Sequence, residues 1–135
     1  MILPSPKSIT TKSAPAPVGP YNQAVVAGEW LFCSGQIALD PSTGKMIGQG
    51  DVERQTSQVL ENLLAVLSAA GVTPFQVVKT TIYLVNLSDF EKVNSIYSEV
   101  FGEGTSPARA CVEVSGLPKG GLVEIDCIAI ANTTS

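Results

Sequence analysis

Along the chain the spacing of apolar and polar positions changes several times, and each change marks an element. Ala24 to Ala27 and Trp30 to Ser34 are short apolar runs separated by Gly28-Glu29. A two-residue turn with glycine at a positive φ predicts a hairpin here. Asp40-Pro41-Ser42-Thr43-Gly44 reads as a loop. From Asp51 to Ala70 the apolar positions Val52, Val59, Leu60, Leu63, Val66, Leu67 and Ala70 recur with a period of about 3.6 residues, which predicts the longest helix. Asp51 is placed as its N-cap and Gly71 as its C-terminal glycine. Val77 to Val85 alternates as a strand, with Val78, Thr80, Ile82 and Leu84 on one face and Val77, Lys79, Thr81, Tyr83 and Val85 on the other. Ser88 and Glu91 form a capping-box pattern. Phe90, Val93, Tyr97, Val100 and Phe101 then trace a helical stripe that stops before Gly102 and Gly104. Two strands close the chain. After Pro107, Ala110, Val112 and Val114 alternate with Arg109, Cys111 and Glu113; later, Val123, Ile125, Cys127 and Ala129 alternate with Leu122, Glu124, Asp126 and Ile128.

Strands mixed with two well-separated helices predict an α+β architecture, a mostly antiparallel sheet with both helices packed on one face. The 135 residues form one domain, 1–135, with 1–15 an extended N-terminal segment. Two helices can cover only one side of such a sheet. The other side is expected to carry Tyr83, Val85, Arg109, Cys111, Glu124 and Ile128, and a second subunit is the economical cover. Composition points the same way, since 44% of the residues are hydrophobic and only 15% charged, more apolar surface than a small monomer readily hides.

Charge and composition exclude several chemistries. The net charge is −4 and no basic run occurs, which argues against a nucleic-acid surface. The absence of histidine removes Ser-His-Asp triads, Cys-His dyads and histidine-bearing metal sites. Cys33, Cys111 and Cys127 show no CxxC spacing, so neither a zinc ribbon nor a secreted disulfide framework is indicated. A reduced cytoplasm is expected. The N-terminal residues lack the continuous apolar stretch of a signal peptide or membrane span.

The candidate chemistry begins at Arg109, a cation in an otherwise apolar extended run. A buried guanidinium needs a partner, because stranding it costs roughly 3 to 5 kcal/mol. Glu113, Glu124 and Asp126 are the internal candidates. The alternative is a ligand, since the planar fork of donors matches a carboxylate with two parallel hydrogen bonds.

A set of short motifs in fixed order bears on that choice: Gly19-Pro20-Tyr21, Ser34-Gly35-Gln36, Lys79-Thr80-Thr81, Asp89-Phe90 with Asn94 and Tyr97, Pro107-Ala108-Arg109 with Val112, Leu117, and Val123-Glu124-Ile125. Together they span about Ile9 to Ala131, and the chain resembles the reactive intermediate deaminase family, the Rid or YjgF-like proteins. The resemblance implies a chorismate-mutase-like fold assembled as a homotrimer, with the sheets forming an inner barrel and one cleft at each subunit interface. It further implies hydrolysis of 2-imino acids such as 2-iminobutanoate or 2-iminopropanoate, in equilibrium with enamines such as 2-aminoacrylate, to 2-keto acids and ammonia. The imine carbon is already electrophilic, so neither metal nor organic cofactor is expected.

By the same resemblance Arg109 anchors the substrate carboxylate and Glu124 positions water and moves protons. Tyr21, Ser34 and Gly35 line the cleft, and the main chain at Cys111 holds the substrate nitrogen or water. On residue type alone Tyr21 is a packing residue, Ser34-Gly35 a turn, Phe90 a core residue and only secondarily a pocket wall, and Glu124 a counter-ion for Arg109 or Lys119. A Cys111 nucleophile lacks a histidine base, although a nearby cation lowers a thiol's pKa. Cys33 and Cys127 read as small buried hydrophobes. Gly116 and Gly120-Gly121 depart from the family pattern and bear on substrate range. The expected partners are a small 2-imino or 2-keto acid and further copies of the chain, with no nucleic acid and no membrane. A binding module that does not turn its ligand over is the alternative function; RNA cleavage with inhibition of translation ranks last, given the missing histidine and basic face.

Overall fold

A computed structural model describes residues 5–131. Its elements in chain order are β1 (Lys7–Ile9), β2 (Ala24–Ala27), β3 (Trp30–Gln36), α1 (Val52–Ala69), β4 (Val77–Leu84), α2 (Phe90–Phe101), β5 (Ala108–Glu113) and β6 (Val123–Ile130), with short 3-10 turns at Pro74–Gln76, Leu87–Asp89 and Pro118–Gly120. The strands form one six-stranded sheet in the order β1-β2-β3-β6-β4-β5. Every neighbouring pair is antiparallel except β4 and β5, which run parallel and are joined by a connection that carries α2. The expected mostly antiparallel α+β arrangement is present.

Local chemistry fixes the helices where the periodicity put them. The Asp51 carboxylate accepts from the backbone N–H groups of Glu53 and Arg54, each at 3.1 Å, and Gly71 takes a positive φ of 72° just past the end of α1. Both helices lie on one face of the sheet. Val59, Leu63, Val66 and Leu67 from α1 and Val93, Tyr97 and Phe101 from α2 join Leu31, Ile82, Leu84, Val123 and Ile125 in a single core. Burying a side chain of this kind contributes about 1.5 to 3 kcal/mol. Cys33 and Cys127 are buried cross-strand neighbours in that core.

Several local expectations are corrected. Ser88 does not cap α2 with Glu91: the Asn86 side chain accepts from the Ser88 backbone at 3.1 Å and from its hydroxyl at 2.7 Å, and the turn that Asn86 caps leads into α2. The alternation of β4 breaks at its start. Val77 pairs with Ala129 and Lys79 with Ile128, so Val78 is an extra residue in a bulge; Val77 is therefore buried and Val78 exposed, the reverse of the expected order. Lys7–Ile9, inside the segment expected to be merely extended, pairs with β2 as an edge strand; residues 1–4 of that segment lie outside the described residues.

The largest correction concerns β5. Residues side by side in a sheet share a face, and the parallel register sets Arg109 beside Thr80 and Cys111 beside Ile82. Thr80 and Ile82 are buried under the helices, so Arg109 and Cys111 belong to the helix-covered face. Glu124 stands beside Tyr83 on the opposite face. Because β5 is the edge strand, its apolar Ala110 and Val112 need not face the core; Val112 lies on the open face at 42% exposure, with Trp30, Phe32 and Ile130 each at 46%.

Candidate functional site

Two clusters result, one on each face. The first is built around a bulge in β3. Cys33 pairs with Cys127 and Gln36 with Ile125, so three steps along β3 match two along β6 and the Ser34-Gly35 stretch is displaced from the ladder. The Glu124 carboxyl occupies the space that displacement opens. A Cβ added to Gly35 would lie 2.7 Å from the Glu124 Cδ and Oε2 atoms, so glycine is what permits the approach. The Ser34 hydroxyl donates to the Asn22 carbonyl at 2.6 Å and pins the chain beside the bulge.

Tyr21 closes the same cluster from the segment before β2. Its hydroxyl accepts from the Val18 N–H at 3.2 Å, and it lines a cavity of about 50 Å³ with Pro15, Val18, Gly35, Pro118 and Glu124. That wall is held by Gln23, a buried side chain whose amide nitrogen donates to the carbonyls of Thr11, Ala14 and Pro15 at 3.0, 3.2 and 2.9 Å, while its oxygen accepts from the Thr11 N–H at 2.7 Å. Burial raises the Glu124 pKa above the ordinary carboxyl value, and the charge of Asp126 raises it further.

The second cluster lies between α2 and β5. The Arg109 guanidinium carbon sits 4.9 Å from the centre of the Tyr97 ring and 5.4 Å from that of Phe90, and Nη1 donates to Asn94 Oδ1 at 2.7 Å. Phe90, Asn94 and Tyr97 are spaced four and three residues apart, so one face of α2 presents all three. The Tyr97 hydroxyl is tied to Thr80 at 2.7 Å in the core, which fixes the ring beneath the cation. Arg109 also borders an open hollow of about 330 Å³ lined with Asn94, Tyr97, Ser98, Phe101 and Pro107. Burial raises the Cys111 thiol pKa and Arg109 pulls against it.

None of the three internal candidates is the partner found for Arg109. Glu113 accepts from the Leu87 N–H at 2.9 Å, Asp126 accepts from the Tyr83 hydroxyl at 3.0 Å, and Glu124 lies against Gly35 on the far face. The fold thus gathers Tyr21, Ser34, Gly35 and Glu124 in one place and Phe90, Arg109 and Cys111 in another. Within one chain the two sets are separated by the sheet. Asn94 and Asp126 complete these clusters. In the sequence Asn94 belongs to the motif set without a site role, although its helical spacing to Phe90 and Tyr97 is readable, and Asp126 enters only as a counter-ion for Arg109. Among the described residues no group of three or more His, Cys, Asp or Glu side chains is placed to hold a metal ion, and no helix is long and apolar enough to cross a membrane.

Comparison with known proteins agrees with the motif reading. The family model described as Endoribonuclease L-PSP matches residues 11–131. A RutC family protein of Synechocystis is 58% identical over 127 residues, covering 94% of this chain and 98% of the relative. The 2-iminobutanoate/2-iminopropanoate deaminase of Mus musculus is 47% identical over 124 residues, covering 92% of this chain and 90% of its own length. Among solved structures, E. coli TdcF with bound serine superposes with a TM-score of 0.87 at 40% identity, covering 93% of this chain and 99% of that one. With residues 11–131 matched by the family model and relatives 58% and 47% identical covering 94% and 92% of it, the chain belongs to the Rid family, the YjgF-like and RutC-related proteins whose shared domain carries the Endoribonuclease L-PSP description.

Proposed function

We propose that this protein is a cofactor-independent deaminase that hydrolyses short 2-imino acids to 2-keto acids and ammonia, working as a homotrimer in the cytoplasm. The observation that carries the reading is Arg109: an exposed guanidinium seated over two aromatic rings and oriented by an amide oxygen, with Glu113, Glu124 and Asp126 all placed elsewhere. Such a cation is prepared for the carboxylate of a ligand.

Hydrolysis also needs a group that handles protons at the C=N bond. Glu124 suits that task, because its raised pKa brings it closer to the pH at which it can both take and return a proton. Water adds to the imine carbon, the carboxyl relays the proton to nitrogen, and the carbinolamine collapses to the keto acid as ammonia departs. Since Arg109 and Glu124 face opposite ways in one chain, the working cleft combines the Arg109 cluster of one protomer with the Glu124 cluster of its neighbour. The exposed Trp30, Phe32, Val112 and Ile130 supply the apolar surface that such packing buries. Tyr21, Ser34 and Gly35 line the Glu124 side, Phe90 walls the Arg109 side, and the Cys111 main chain holds the substrate nitrogen or water.

The test is a coupled assay in which a pyridoxal-phosphate-dependent threonine or serine dehydratase generates the imine and keto-acid formation is followed. Acceleration by this protein, lost in Arg109→Ala and in Glu124→Gln, is the expected result. A binding module would depend on Arg109 alone and would leave the rate unchanged. The bound serine of E. coli TdcF, an amino acid rather than an imine, makes that second reading worth separating.

A further inference from the structure

The cavity beside Glu124 has an apolar wall, supplied by Pro15 and Val18 from the segment before β2 and by Ile37 and Leu39 from the segment after β3. Neither segment is part of the six-stranded sheet. Each is tied instead by a buried side-chain amide. Gln23 donates to the carbonyls of Ala14 and Pro15, while its own backbone carbonyl accepts from the N–H of Ser34, at the bulge, at 2.9 Å. Asn62 reaches from α1 and donates to the carbonyls of Ile37 and Leu39 at 3.2 and 2.9 Å, and its oxygen accepts from the Gln58 amide at 2.9 Å. At the far end of the first segment the Tyr21 hydroxyl accepts from the Val18 N–H, and prolines at positions 15 and 17 stiffen what lies between. Both halves of the wall are fixed before any ligand arrives.

We propose that this recess receives the substrate's side chain and that Gln23 and Asn62 are positioning residues that hold it at the size of a methyl or ethyl group, so that short unbranched 2-imino acids are selected. The inference rests on the deaminase reading and adds to it the property that decides which imine is taken. With the carboxylate held by Arg109 across the proposed subunit seam and the C=N bond at Glu124, the remaining substituent of the imine carbon is the side chain. The apolar wall beside Glu124 is the surface left to meet it. The cavity measures about 50 Å³, and about 10 to 15 Å³ admits one water-sized group, so a few such groups fill it. A branched or aromatic chain enters only if a wall moves. One methylene too many in an apolar pocket changes kcat/KM by about 10- to 200-fold, and a wall freed from its amide gives way and loses that discrimination.

The experiment compares imines made in place by an L-amino-acid oxidase from 2-aminobutanoate and from leucine, with keto-acid formation followed above the spontaneous rate. The wild-type protein should favour the 2-aminobutanoate-derived imine by about tenfold or more in kcat/KM. Gln23→Met and Asn62→Leu keep the bulk of each side chain and remove its hydrogen bonds, and each should bring the ratio close to one. Val18→Ala trims the wall at an exposed position, so it keeps the fold and should move the ratio the same way. A lowered Tm with the wild-type ratio intact in Gln23→Met or Asn62→Leu makes the amides purely structural and overturns the proposal. An unchanged ratio in Val18→Ala does so too, as does a wild-type protein indifferent to the side chain. Should an amide variant fail to fold, Val18→Ala decides alone. If neither imine is turned over, the deaminase reading fails by itself, and calorimetric binding of 2-ketobutanoate and 4-methyl-2-oxopentanoate to the same proteins reads the preference instead. Its relaxation in the variants supports the recess, and its absence overturns it.

Discussion

Arg109 and Glu124 turn their side chains to opposite sides of one sheet, with β4 between their strands. No rotamer change within a protomer brings them together. A shared cleft can be tested by complementation. If the proposed homotrimer is the working assembly, each mixed trimer of Arg109→Ala and Glu124→Gln subunits regains one intact site, so about a quarter of wild-type activity returns when the two inactive proteins are refolded together at random. A site contained in one chain would give none.

Arg109→Lys keeps the positive charge and discards the fork. A charge-assisted hydrogen bond contributes about 1.5 to 3 kcal/mol, so kcat/KM for imine hydrolysis should fall by about 10- to 150-fold. The cation-ring contacts are at the surface, where each is worth about 0.5 to 1 kcal/mol, and the Tm should hardly move. Wild-type turnover in the lysine variant would remove the bidentate argument.

Glu124 links pH to stability with a definite sign. Its pKa is raised on folding, so its contribution favours the folded state below the unfolded value and is lost as the pH rises through the folded one. Glu124→Gln should therefore abolish turnover while raising the Tm at neutral pH. The gap should close as the pH falls toward the ordinary carboxyl value of 4.5. Thermal melts across that range decide the matter, and a gap independent of pH contradicts the burial of an ionising carboxyl.

Gly35→Ala places a methyl group 2.7 Å from the Glu124 carboxyl. The obstructed atoms are the far end of a flexible side chain, so the fold can yield there. The expected result is a Tm close to wild type with kcat reduced about tenfold or more, equivalent to a displacement costing about 1.4 kcal/mol in the transition state. Equal losses of stability and activity would assign Gly35 to the scaffold instead.

Much of the fold was legible where it depended on local spacing. The stripe of α1, its Asp51 cap and Gly71, and the Gly28 turn between β2 and β3 are all written within a few residues of each other. What escaped was non-local. Nothing in the order of the strands says that β4 separates β5 from β6, and that insertion decides which face Arg109 occupies. An edge strand also weakens the usual inference from alternation, because its apolar residues can line a surface awaiting a partner. β1 was invisible because three residues, two of them polar, carry too little pattern. The candidate residues were recognisable by their motifs, whereas the Gly35 approach to Glu124 depends on a bulge that only the pairing of β3 with β6 reveals.

The parallel pairing of β4 with β5 has a consequence for how the protein matures. The cation and its aromatic shelf come from one unbroken stretch, strand, crossover helix and strand, between residues 77 and 113. The acidic half is stitched from the beginning and the end of the chain, residues 15–39 and 118–126. Short sequence separation favours early contacts, so the packing of Arg109 against α2 is expected to form before the long-range pairing that brings Glu124 against Gly35.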